Sequence, residues 1–154
     1  MTRRPVSIVP ILFLALTLPL AAQQQSAPPA ESQAAAFDEG AAAAVLGTLR
    51  DGLEGHSQRR LLSAFDAGKM DGYLAFEDQI DAYFARYEGF RVTFRILQVS
   101  EENQRASILA EFQVENEPRG GGRWSRSEGQ LRFELERGAK GWKIVDLNPR
   151  EFFS

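Results

Sequence analysis

The chain has 154 residues, 44% of them apolar, with 18 basic residues against 21 acidic ones. This length predicts one domain, and the composition is typical of a globular core. The absence of cysteine excludes disulfides, thiolate metal sites and a cysteine-linked lipid.

The N-terminus has the pattern of a secretory signal peptide. Two arginines precede an apolar run at 6–20, and small residues follow at Ala21 and Ala22. A membrane-spanning helix, the alternative, needs about 20 apolar residues, whereas this run is shorter and contains two prolines. We therefore predict a signal peptide at 1–22, export to the periplasm or beyond, and no membrane attachment afterwards.

The exported chain is acidic. Residues 1–22 hold two of the 18 basic residues and no acidic one, which leaves 16 against 21 and a net charge of −5. This balance argues against a nucleic-acid partner, which requires a basic surface. Residues 23–36 are polar and aperiodic and predict a disordered linker before a domain at 37–154.

Three amphipathic helices are predicted in the first half of the domain. The first spans 42–55 and ends on a glycine, and the second spans 58–65 with Ser57 as its N-cap. The third spans 71–87, and its apolar stripe is aromatic. That stripe consists of Tyr73, Phe76, Ile80, Phe84 and Tyr87.

From Phe90 onward the apolar period changes from 3.6 to 2, which predicts strands at 90–96, 106–114, 130–136 and 142–147. Their short connections favour an antiparallel meander. Three helices followed by four strands predict an α+β fold with the helices on one sheet face. That inner face should bury a set of large apolar side chains that includes Phe94, Phe112, Phe133, Trp142 and Ile144.

This arrangement resembles the nuclear-transport-factor-two-like superfamily, with its polyketide-cyclase-like and ketosteroid-isomerase-like domains. The resemblance covers 39–153 and rests on the helix order, the aromatic third helix, LLSAFD at 61–66 and GWKIVD at 141–146. It implies a curved sheet that wraps the helices into a cystatin-like cone with a pocket at its wide end. The superfamily holds isomerases, cyclases, dehydratases and non-catalytic domains, and no catalytic motif of one branch matches here.

Two carboxylates, Asp146 and Asp66, are the candidates for a catalytic base. By strand parity Asp146 shares the inner face with Trp142, whose apolar ring would favour a protonated carboxyl. The alternatives, which we favour, place Asp146 beyond the end of the strand, where it is solvated or accepts backbone hydrogen bonds, and give Asp66 a turn or capping role.

The ligand pocket is predicted to draw on six aromatic residues, although a helical aromatic stripe is more often core than site. They are Tyr73, Tyr83, Tyr87, Phe94, Phe112 and Trp142. The only histidine, His56, is placed in an exposed loop, and one histidine cannot form a multi-histidine metal site. The glycine-rich segment 117–123 has no helix after it, so we interpret it as a loop without phosphate-binding function. No cofactor is predicted.

The apolar inner face favours an exported non-catalytic domain that binds a small apolar ligand or a protein partner in or around the cone pocket. The alternative is an isomerase-, cyclase- or dehydratase-like enzyme that uses a pocket carboxylate and a tyrosine.

The outer face of the sheet is expected to be mostly charged. If the first hairpin turns at 100–104, one register sets Arg95 opposite Glu111 and Arg91 opposite Glu115. Charges disfavour a tight interface, so we predict a monomer or a weak homodimer. Five aliphatic residues on this face should form a patch, namely Leu97, Val99, Leu109, Val145 and Leu147, and any contact should centre on Leu109 and Val145.

Overall fold

The computed structural model describes residues 36–154. The predicted signal peptide lies outside the described residues, as does the predicted linker apart from Ala36. In the described part, every helix is too short or too polar to cross a membrane.

Three helices come first: α1 (Glu39–Glu54), α2 (Gln58–Leu62) and α3 (Tyr73–Arg86). The α1 helix begins before the predicted residue 42, because the Asp38 carboxylate accepts a hydrogen bond from the Ala41 N–H at 2.8 Å. Ser57 caps α2 as predicted. The α2 helix ends before the predicted residue 65, because the next residues bond to the sheet instead, with Ala64 O accepting from Ile144 N at 2.9 Å.

Four antiparallel strands follow in the order β1-β2-β3-β4. They are β1 (Tyr87–Glu102), β2 (Arg105–Pro118), β3 (Ser125–Gly138) and β4 (Gly141–Asn148), and a 3₁₀ helix (Arg150–Phe153) ends the fold. The predicted fold class is confirmed: three helices lie on the concave face of a curved antiparallel sheet. The predicted pairs are also confirmed, with Arg95 opposite Glu111 and Arg91 opposite Glu115.

Two β-bulges change the predicted parity. The register of β1 against β2 shifts at Leu97, so Val99 lies opposite Ile108 and packs on the core. In β4 the extra residue is Val145, so Leu147 turns inward and is buried. The predicted patch of five outer aliphatic residues is therefore wrong, because a bulge reverses every side chain beyond it.

The core lies between the helices and the inner sheet face. The α1 helix contributes Leu46, Leu49 and Leu53, all fully buried. Trp142 is only half-buried and packs at the edge of this core, with its ring centroid 4.8 Å from that of Phe37. The expectation that the inner face buries Trp142 is therefore wrong.

Candidate functional site

The interior of the cone, where the sequence predicts a ligand pocket, is filled by the chain's own aromatic side chains. The 3₁₀ helix places Phe153, fully buried, with its ring centroid 5.8 Å from that of Tyr83 on α3. It also places Phe152 beside Phe112 on β2, with 6.4 Å between their ring centroids. These contacts put aromatic side chains where the sequence predicts a ligand pocket.

One polar pair is buried among these rings. The Tyr83 hydroxyl donates a hydrogen bond to Asn116 Oδ1 at 2.6 Å, and Asn116 is 1% exposed. Burial raises the pKa of the Tyr83 hydroxyl, and the hydrogen bond to Asn116 offsets only part of this effect. Asn116 Nδ2 has no hydrogen-bond partner in the described part. The pair therefore offers neutral donors and no base.

The two candidate carboxylates lie outside this interior. Asp146 falls opposite Glu134, because the bulge at Val145 moves it off the inner face, so the predicted parity of Asp146 is wrong. Its Oδ1 accepts from Arg150 Nη2 at 2.6 Å. Asp66 forms a turn in which its Oδ1 accepts from Gly68 N–H at 3.0 Å. Both carboxylates thus hold structural partners.

A groove of about 560 Å³ crosses β1, β2 and β3 on the outer face of the sheet. Arg95 contacts Glu111 at 2.7 Å, while Arg126 reaches Gln113 Oε1 at 2.5 Å and Glu128 at 2.9 Å. The remaining lining residues are Thr93, Phe94, Phe112, Gly129 and Gln130. The groove is therefore lined by both signs of charge and by amides.

Neither a protein-family model nor a curated protein matches the chain. Solved structures do match it. A nuclear transport factor 2 (NTF2-like) superfamily protein from Salmonella enterica superposes with a TM-score of 0.63 at 8% identity, over 70% of this chain and 86% of that one. A ketosteroid isomerase-like protein from Erwinia carotovora atroseptica superposes with a TM-score of 0.58 at 14% identity, over 72% of this chain and 95% of that one. A provisionally assigned dehydratase of the NTF2-like family from Streptomyces avermitilis superposes with a TM-score of 0.61 at 14% identity, over 69% of this chain and 90% of that one.

The chain has the NTF2-like fold. The predicted resemblance is confirmed at this level. Identities this low establish the arrangement of helices and strands, and they leave the activity to the residues of this chain.

Within the NTF2-like cone, the predicted pocket residues lie in separate places. Tyr83 and Tyr87 are neighbours, with 5.2 Å between ring centroids, and Phe94 stacks on Phe112 at 5.6 Å. Tyr73 instead lines a shallow groove between α2 and α3. Trp142 lies at the rim. The structure thus brings two pairs together and leaves two residues apart.

His56 is exposed, as predicted, and its ring lies 5.1 Å from that of Phe84 between centroids. The described residues contain no group of three or more histidine, cysteine, aspartate or glutamate side chains that could hold a metal ion.

Sequence reasoning missed the part of the groove that β3 supplies. The predicted strand began at 130, whereas β3 begins at Ser125. Its inward positions there are Ser125, Ser127 and Gly129, so the apolar half of the alternation is missing. The outward Arg126 and Glu128 still alternate with the small inward residues. This alternation of charged and small side chains was the sequence signal that could have extended the predicted strand.

Replacing Tyr83 by phenylalanine should destabilise the fold by about 1–3 kcal/mol, because both polar atoms of the buried Asn116 amide would then lack a partner. Chemical denaturation measures this loss. Tyr87→Phe is the matched control, since no hydrogen bond of its half-buried hydroxyl is present in the described part, and its stability should stay near that of the wild type. Equal stability of Tyr83→Phe and wild type would contradict a structural role for the pair.

Proposed function

We propose that this NTF2-like domain is a non-catalytic binding module that holds a segment of another protein on the outer face of its sheet. The observation that carries the proposal is the 560 Å³ groove across β1, β2 and β3, most of whose lining residues have outward strand parity. Its width of three strands suits an extended chain segment rather than a compact small molecule.

The chemistry of the groove favours a polar segment with charges of both signs. Arg95 and Arg126 are balanced by Glu111 and Glu128, so the lining carries no strong net field. Gln113, half-buried at the centre, can both donate and accept hydrogen bonds. When such a polar surface binds a partner, its groups lose hydrogen bonds to water and gain hydrogen bonds or ion pairs to the partner. Because the loss offsets much of the gain, the affinity is typically moderate.

The enzymatic alternative receives little support from the interior. A carboxylate–tyrosine mechanism needs the carboxylate within about 3 Å of the reacting proton, beside the tyrosine. Among residues 36–154 the only buried polar or charged residue is Asn116. Tyr83 therefore has an amide beside it where this mechanism requires an acid.

A second candidate function is the binding of a small apolar ligand inside the cone. The unpartnered Asn116 Nδ2 favours it, because a ligand carbonyl or hydroxyl oxygen would accept the hydrogen bond that this atom lacks. Such a ligand would have to displace Phe153 from its contact with Tyr83.

We propose that the module lies outside the cytoplasm, as the signal-peptide pattern at 1–22 predicts. N-terminal sequencing of exported protein should begin at or near Gln23.

Site-specific cross-linking tests the proposed function. A photo-reactive benzoylphenylalanine at Thr93, exposed in the groove, is expected to give a discrete protein adduct in extracts of the source cells. The same group at Ala82, exposed on α3, should give none. Gln113→Trp fills the centre of the groove with an outward side chain and should abolish the Thr93 adduct without changing thermal stability.

An adduct that survives Gln113→Trp would show that the groove is not the binding surface. Native mass spectrometry of the exported protein separates the two candidates. A retained small molecule would favour the cone, whereas its absence together with a groove-dependent adduct would favour the protein partner.

A further inference from the structure

Half of β3 has a free edge. The β4 strand pairs only with Arg132–Gly138, so the stretch from Ser125 to Leu131 pairs with β2 on one side and, among residues 36–154, with no strand on the other. Within residues 36–154, no element other than β2 forms a backbone hydrogen bond to the stretch from Ser125 to Leu131. Unpaired backbone donors and acceptors in an extended strand are a template for another strand.

We propose that a second copy of this chain occupies that edge, with β3 pairing antiparallel to β3 across a two-fold axis. Such a contact is self-complementary, as a two-fold interface requires. It goes beyond the proposed function, which concerns a different protein on the outer face.

The charges on β3 favour a register centred on Ser127 over the registers centred on its two neighbours. With the axis at Ser127, each Arg126 lies opposite Glu128 of the second copy, which gives two attractive cross-strand pairs. An axis at Glu128 would set two glutamates against each other, and an axis at Arg126 would do the same with two arginines. Like charges directly opposite destabilise a pair of strands, so the register centred on Ser127 is favoured.

The inner face also accommodates this register. The side chains that the second copy turns inward at the edge are those of Ser125, Ser127 and Gly129, all small. A side-chain carbon at Gly129 would lie 3.8 Å from the Phe152 ring, which is an ordinary contact, so the 3₁₀ helix lies close to this edge. Larger inward residues on an added strand would collide there.

The dimer would join the two four-stranded sheets into one sheet of eight strands. Because Arg126 and Glu128 also line the outer groove, the two grooves would meet at the axis. The paired stretch is short, so we expect a weak dimer.

Disulfide trapping tests the register, because the chain has no cysteine of its own. Residues directly opposite in an antiparallel pair have Cα atoms about 4.5–5.5 Å apart, within the range of a disulfide. Ser127→Cys should therefore form a covalent dimer under mild oxidation. Ser125→Cys is the matched control on the same strand and face. In this variant the two cysteines would be offset by four residues, about 13 Å, so the variant should remain monomeric under mild oxidation.

Sedimentation of the full domain tests the association itself. R126E and E128R should each weaken the wild-type dimer about tenfold, whereas an equimolar mixture of the two variants should associate again. R95E, on the outer face but away from the edge, should sediment as the wild type does. A wild-type monomer at millimolar concentration would overturn the proposal, as would equal trapping of Ser125→Cys and Ser127→Cys. Loss of the dimer in R95E but not in R126E would assign the interface to the outer face instead.

Discussion

Replacement of Gly52 by alanine is expected to destabilise the domain by about 3 kcal/mol or more. Gly52 is the point at which α1 crosses α2. A Cβ atom there would lie 2.5 Å from the backbone nitrogen of Leu61 and 2.7 Å from its Cα. Both are backbone atoms of a capped helix, so neither can rotate away, and the two helices would have to separate. Equilibrium denaturation measures the loss.

Gly47 provides the matched control in the same helix. A Cβ atom at Gly47 would meet nothing within 4 Å, so Gly47→Ala should gain about 0.5–1 kcal/mol from the higher helix propensity of alanine. The two substitutions are chemically identical, but their effects on the free energy of unfolding should have opposite signs. A stable Gly52→Ala variant would mean that α1 and α2 pack less closely than described.

The fold was predictable because its signals are local and repeated. The aromatic stripe of α3 and the alternation in β1 and β2 each extend over many residues, so errors at single positions do not change the element type. The pairs of Arg95 with Glu111 and of Arg91 with Glu115 belonged to one allowed register for a turn at 100–104. The structure reaches that register through the bulge at Leu97, because the turn itself pairs Glu102 with Arg105.

The bulges were not predictable in the same way. Each inserts one residue where both neighbours are acceptable strand residues, so the sequence carries no turn signal there. The consequence is large at the end of β4, where Val145 is the extra residue. Asp146 then points away from the inner face and Leu147 into it, and a candidate catalytic base is lost.

The aromatic filling of the cone interior was not predictable for a related reason. Periodicity identifies which residues face the interior, but it does not show whether another part of the chain fills that interior. Phe152 and Phe153 follow the last predicted strand and carry no periodic signal, yet they enter the cone and contact Phe112 and Tyr83. What remains open to a partner is the charged outer face, whose alternation the sequence did display.

The closure of the cone by Phe153 leads to the second large expected effect. Phe153→Ala should cost about 3–5 kcal/mol, because Phe153 is fully buried and its removal leaves a cavity beside Tyr83. Denaturation measures the loss, and Leu74→Ala, at a side chain 73% exposed, should change stability by less than about 0.5 kcal/mol. The Thr93 cross-link should persist in Phe153→Ala wherever the variant is folded, because Thr93 and most of the groove lining have outward strand parity, whereas Phe153 is buried inside the cone. If Phe153→Ala instead lost the cross-link while still folded, the separation of a closed cone from an outer binding face would be wrong.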